Sequence, residues 1–312
     1  MEYALLQAVF LPLLLSPIAY ILGRKMGPTV TTWFTFGVLL YCTFLVIQVA
    51  LSGSYEEHYV WTKLFGEFGF KLDGLAIPFA VIIYVLSTVL ALYSKPYMMH
   101  KFHELYEEHV HHSHSSSGQT TAIVESSEMN SYVKNQSGLY FALYLVFAMG
   151  MLGTVLSTNL IEFYVFFEVM LIPGFFLVAF YGDGPRRRIS LMFLFWTHVG
   201  AVVLLLGFLT IGLSIGSFDF TTISEAKIPQ NVLMLAAVAI VVGLGVKLAA
   251  FIFHIWLPYV HGAAPTPISA LLSPAMIGIG AYGIFRLIIE FLPNTYAEMA
   301  IWLHIWGLAT MI

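Results

Sequence analysis

The chain has 312 residues, 59% of them hydrophobic and only 10% charged, where a soluble domain carries roughly a quarter charged. A soluble chain of this size still needs a charged exterior, so the solvent for most of its surface is lipid. A net charge of −4 gives no basic field for nucleic acid, and Cys42, alone of its kind, excludes a disulfide framework or a cysteine-ligated metal within the sequence.

Crossing the hydrocarbon takes about 20 apolar residues per helix, because each adds about 1.5 Å and the backbone must satisfy its own hydrogen bonds. Nine runs fit: roughly 4–22, 29–52, 74–94, 138–156, 160–181, 189–215, 232–253, 267–290 and a last one starting near 295. The expected fold class is therefore all-α, a polytopic membrane protein of about nine transmembrane helices. The first run lacks a basic n-region and an A-x-A-like site, so no cleavable signal is expected. Short loops rich in Lys and Arg mark the cytoplasmic side. Arg24 and Lys25 follow the first run, Lys95 and Lys101 the third, and Arg186, Arg187 and Arg188 the fifth, while Glu56, Glu57, Asp219 and Glu225 lie in the opposite loops. This places the N-terminus outside.

The longest polar segment is 95–137. His109, His111, His112 and His114 invite a metal reading, since imidazole is the commonest transition-metal ligand, but they border a Ser/Gly tract with no element to fix their geometry. The plainer expectation is a short amphipathic helix over 97–110 followed by a disordered linker.

Nearly all acidic and basic side chains fall in loops or at the edges of runs. Glu168, Lys247 and Arg286 do not. A charge at the bilayer centre costs about 2.5–3.5 kcal/mol on insertion scales, so an intramembrane ionisable residue is a functional hypothesis with a partner to be found. Glu168 has apolar residues on both sides for almost two turns. Burial keeps such a carboxyl protonated while a nearby ammonium ionises it, the sensitivity a proton carrier needs; a structural carboxyl bonded to a neighbouring helix is the rival reading. Lys247 would load and release a proton as a carboxylate partner moves, with snorkelling as its rival. Arg286 has Glu290 four residues later on one helix face and reads as a structural pair, as do Glu162 and Glu298 near the ends of their runs. His198, His254, His261 and His304 lie in or beside apolar stretches and either pack as core residues or line a hydrated polar axis.

The segment HIWLPYVHGAAPTPISALL holds Pro258, Pro265, Pro267 and Gly262, so a helix cannot run through it. Either a helix is interrupted there beside a cavity, or a simple loop joins the seventh and eighth runs. Pro173 and Pro274 should kink the fifth and eighth helices.

The runs NLIEFYVFFEVMLIPGFFLVAFYG, GLGVKLAAFIFHIWLPYVHGAAPTPISALL and AYGIFR, with FKLDGLAIPF at 70–79, resemble the antiporter-like subunits of respiratory NADH:quinone oxidoreductase (complex I). The M-type chain, mitochondrial chain 4, is the most similar kind, with relatives in multisubunit Na⁺/H⁺ antiporters and membrane-bound hydrogenases. The resemblance covers most of 70–290. It implies a proton-translocating subunit built from two pseudosymmetric five-helix half-channels. Glu168 then matches the family's glutamate of the fifth helix, Lys247 its lysine in a discontinuous seventh helix, and His254 and His261 the histidines of the H-x-W-L-P-x-x-H stretch, for a relay. It also implies no cofactor in this chain, with iron-sulfur clusters, flavin and quinone in partner membrane subunits, and a prokaryotic plasma membrane as location. A subunit of a cation/proton antiporter and a non-conducting scaffold are the alternatives. The sequence departs from the family at Gly278, where M-type chains usually carry a lysine, and at Tyr259, Ala263 and Ile252. The expected organisation is helices one to three in 1–94, a cytoplasmic polar loop in 95–137, one half-channel in 138–290 and the start of a further helix in 291–312. The family's second half-channel would lie beyond the last residue, so the chain is expected to be truncated or completed by another.

Overall fold

The computed structural model describes residues 3–62, 65–113 and 122–312. Twelve α-helices and one hairpin follow in chain order: α1 (Ala4–Met26), α2 (Pro28–Ser52), β1 (Tyr55–Thr62), β2 (Gly66–Leu72), α3 (Ala76–Ser113), α4 (Ala122–Leu156), α5 (Leu160–Tyr181), α6 (Arg186–Ile215), α7 (Phe220–Glu225), α8 (Gln230–Lys247), α9 (Trp256–Ala263), α10 (Thr266–Leu271), α11 (Ile277–Gly283) and α12 (Pro293–Met311). Two π-helical segments, Leu272–Met276 and Ile284–Glu290, join α10 to α11 and continue α11. Eight helical stretches among the described residues are long and apolar enough to cross a membrane. The protein is an all-α polytopic membrane protein. The ninth run does form a helix, α12, but Asn294, Glu298 and His304 dilute its hydrophobicity below that of the other eight.

Three features differ from the sequence expectations. The first is the antiparallel β1–β2 hairpin, whose register runs from Tyr55 opposite Leu72 to Thr62 opposite Gly66. Its Tyr, Val, Trp and Thr residues suit a pleated surface, and Glu57 turns inward to accept the Leu5 and Leu6 amides at 3.0 and 2.9 Å. The hairpin thereby caps α1 with a carboxylate where the helix dipole favours one.

The second concerns 95–137. No separate helix forms over 97–110, because α3 continues through Pro96, and 122–137 is the start of α4 rather than a linker. Tertiary contacts outweigh the amide lost at proline: Phe102 packs edge-on against Tyr140 and Tyr181, and buried Lys101 pairs with Glu104 and Asp183. The side chains of His109, His111, His112 and His114 lie outside the described residues. The third is Pro274, which sits in a π segment; the ladder widens there to absorb the missing donor.

Close helix contacts depend on small residues, as in membrane bundles generally. A Cβ on Gly23 would come within 2.3 Å of the Gly138 Cα, where α1 crosses α4. Cationic groups gather at one end of the bundle, where Arg24 meets Asn135, Lys101 meets Asp183 and Arg186 meets Glu108. The hairpin end is acidic.

Candidate functional site

The site forms where α8 stops. After Lys247 the chain leaves helical geometry until Trp256, ahead of Pro258 and the other prolines. The seventh helix is thus discontinuous, and the interruption begins at residues with no helix-breaking side chain. Its freed backbone groups are met by side chains, which is how irregular backbone survives at membrane depth. The Trp256 indole donates to the Val246 carbonyl at 3.1 Å, the Phe251 amide donates to the Thr310 hydroxyl at 3.0 Å, and the Trp306 indole donates to the Phe251 carbonyl at 2.9 Å. Ala249 (φ 55°) and Ile252 (φ 79°) adopt the left-handed region, a conformation that costs of order 1–3 kcal/mol for such residues and persists only where the surroundings enforce it.

This break positions Lys247. The residue is 1% exposed, and among the described residues its Nζ has no hydrogen-bond partner. It sits 4.9 Å from the ring centroid of Phe167, the residue before Glu168. A desolvated cation–π contact is worth about 2 kcal/mol, which offsets much of the insertion cost of one charge. α6 and α8 approach closely here. A Cβ on Gly200 would lie 2.6 Å from Val246 Cβ, and one on Gly243 would lie 2.6 Å from the Gly200 carbonyl oxygen.

Glu168 faces the same interior from α5. Its Oε2 lies 3.0 Å from Nδ1 of His198 on α6, and its Oε1 is buried without a partner. No ion pair within 4.0 Å joins Glu168 to Lys247. The structure therefore brings Glu168, Phe167, Lys247 and His198 together, with the carboxylate on the histidine rather than on the lysine. Sequence reading had singled out His198 as an intramembrane histidine, but nothing in the sequence tied it to Glu168, 30 positions earlier.

The other candidate residues are elsewhere. His254 is exposed and stacks on Phe251, with ring centroids 6.2 Å apart. His261 on α9 has its Nδ1 2.8 Å from the Ser269 hydroxyl and lines a cleft of about 490 Å³ with Tyr97, Asp183 and Ser273, at the basic end. His304 is exposed on α12. Arg286 does pair with Glu290 at 2.7 Å, and it also holds Asp73 through two bonds of 2.8 and 2.6 Å. Asp73 in turn accepts the Leu75 and Ala76 amides and so caps α3. Burial raises the Asp73 carboxyl, but the hydrogen bonds from Arg286 and the Ala76 amide outweigh it and hold the group below the usual carboxylate range. Glu162 accepts the Thr158 and Gly69 amides, while the Asn159 side chain accepts those of Ile161 and Glu162. This reciprocal cap was readable from the N-x-x-E spacing.

Residues 157–312 match the family described as NADH:quinone oxidoreductase/Mrp antiporter, TM. An NAD(P)H-quinone oxidoreductase chain 4 of Picosynechococcus sp. is 24% identical over 317 residues, covering 98% of this chain and 52% of that protein. The NADH-quinone oxidoreductase subunit M of Rickettsia bellii is 34% identical over 176 residues, covering 56% of this chain and 35% of that protein. This chain spans about half or less of the length of these curated relatives. Respiratory complex I from Thermus thermophilus with bound NADH contains a chain of the same fold, with a TM-score of 0.71 at 20% identity over 95% of this chain and 55% of that one. With half of its residues inside the family match, this chain belongs to the NADH:quinone oxidoreductase/Mrp antiporter transmembrane family.

Proposed function

We propose that this chain is an M-type, proton-translocating membrane subunit of a complex I-like oxidoreductase. Redox chemistry in partner subunits, which would carry the iron-sulfur clusters, flavin and quinone, drives proton movement through this chain. The observation that carries the reading is Lys247, a 1% exposed lysine with no acceptor among the described residues, held at a helix break in the same interior as the intramembrane carboxyl of Glu168.

A buried ammonium without a counter-ion depends on whatever charge lies nearest, because no solvent screens it. Lys247 keeps its proton while Glu168 is ionised and drawn toward it. When Glu168 turns away or is neutralised, Lys247 gives the proton up. The arrangement described here, with Glu168 on His198, is the parted state. A charge or conformational change in an adjacent subunit would switch between the two by shifting α5 against α8. His261, with Ser269 and Ser273 at the basic end, serves the path from that side; the reading assigns no step to His254.

The test uses the intact complex containing this chain, reconstituted into vesicles. Glu168→Gln and Lys247→Met should each lower proton uptake driven by reduced cofactor by at least about tenfold, the low end for losing a positioned proton donor or acceptor. Unchanged pumping in both variants overturns the reading. A proton gradient built by Na⁺ with no reduced cofactor present would assign the chain to a cation/proton antiporter instead.

A further inference from the structure

We propose that Glu168 and His198 form one proton-binding dyad, and that His198 carries the proton from Glu168 out to the exposed face of α6. The proposal rests on the proton-translocation reading above and names the acceptor that the reading leaves open. The Oε2–Nδ1 distance is 3.0 Å, short enough for direct transfer without an intervening group. The His198 side chain is 53% exposed while that of Glu168 is 19% exposed, so the two nitrogens of one ring span the step from interior to surface.

The surroundings of His198 argue for use rather than packing. Its exposed neighbours on α6 are Phe195, Val199 and Val202, an apolar face on which an imidazole gains nothing by burial. Between Arg188 and Ile215, α6 offers no other titratable side chain. The groups that face the dyad are Tyr164 on α5, one turn before Glu168, and Lys247 on α8. Once the proton has moved to His198, a positive Lys247 draws the ionised Glu168 away from the ring, whereas a neutral Lys247 lets it return. The lysine thereby controls the proton's position without touching the histidine.

In the transfer, the O–H bond of protonated Glu168 breaks and a bond from Nδ1 to hydrogen forms, leaving a carboxylate and an imidazolium. The imidazolium then loses its Nε2 proton to a carboxylate that an adjoining membrane subunit presents at this face of α6, leaving that group as a carboxylic acid. Tautomer exchange of the neutral ring, moving hydrogen from Nδ1 to Nε2, readies Nδ1 for the next proton. One proton leaves Glu168 and one reaches the acceptor.

The experiment records the solid-state ¹⁵N NMR spectrum of isotopically labelled His198 in the reconstituted complex and measures the pH profile of proton uptake. Replacing Glu168 by Gln should move the His198 Nδ1 resonance, because the carboxylate that bonds it is gone. His198→Gln, which keeps size and polarity, and His198→Leu should both leave the complex assembled, slow uptake at least tenfold and remove one limb of its pH profile. A His198 Nδ1 resonance indifferent to Glu168→Gln, or a His198→Gln complex with an unaltered profile, overturns the dyad. If Glu168→Gln shifts the histidine yet pumping survives, the dyad stands and the translocation reading falls; lost pumping in Glu168→Gln with an unaltered His198→Gln profile is the reverse.

Discussion

Asp73 and Arg286 are 213 positions apart in sequence, yet they form a two-bond ion pair that ties the start of α3 to the π segment beyond α11. Arg286 also accepts no substitute geometry lightly: its Nε donates to the Tyr282 hydroxyl, which donates to the Val155 carbonyl at 2.6 Å. Glu290 remains at 2.7 Å but is half-exposed, so Asp73→Asn leaves the buried guanidinium only partly compensated and should cost about 3 kcal/mol at neutral pH, the low end for breaking a buried pair, read as a lower unfolding temperature of the purified protein. Because the folded carboxyl lies below its ordinary value, its contribution is fully present above that ordinary value, near pH 4, and is lost as pH falls through the folded one. The wild-type protein should therefore lose stability more steeply below about pH 4 than the variant. At this scale the sequence discloses which charges are out of place, since Glu168, Lys247 and Arg286 interrupt apolar runs. It does not disclose their partners. His198, Asp73 and Phe167 meet them only through folding, and no local spacing encodes a contact across that many positions.

Among the elements, the interrupted helix formed by α8 and α9 matters most. Its prolines were legible, but they lie after the interruption, and the break itself is held by side chains from α9 and α12. Trp256→Phe keeps the buried ring against Phe193 and removes only the indole donor to Val246. The Val246 carbonyl then keeps the Ala249 amide at 3.2 Å, so losing the indole donor should cost about 0.5–1.5 kcal/mol, seen as a lower unfolding temperature, and should loosen Lys247 one residue away. An unchanged unfolding temperature would mean that the Ala249 amide alone satisfies the carbonyl. Eight of the nine apolar runs form helices long and apolar enough to cross a membrane, and they are readable because lipid demands length and hydrophobicity. The hairpin was missed because its alternation is short and flanked by long helical signals. The described residues of the polar segment, 95–113 and 122–137, are helical because their polarity reflects packing among charged partners, Lys101 with Asp183 and Arg186 with Glu108.

At the scale of the whole molecule, charge divides the bundle into a basic end and an acidic hairpin end, with a few ionisable groups between them. That division is the pattern on which the orientation read from sequence rests. Between the ends, Glu168, His198 and Lys247 occupy one region framed by α5, α6 and α8, and the close approach of Gly200 to Val246 sets its width. Under the proposed mechanism these residues act as a unit, and units are non-additive: once one member is lost, losing another removes little more. The most direct test is a double-mutant cycle on reductant-driven proton uptake by the reconstituted complex, comparing Glu168→Gln, Lys247→Met and the double variant. The double variant should pump no worse than the weaker single variant. Losses that multiply, each substitution acting as though the other were absent, would contradict the mechanism.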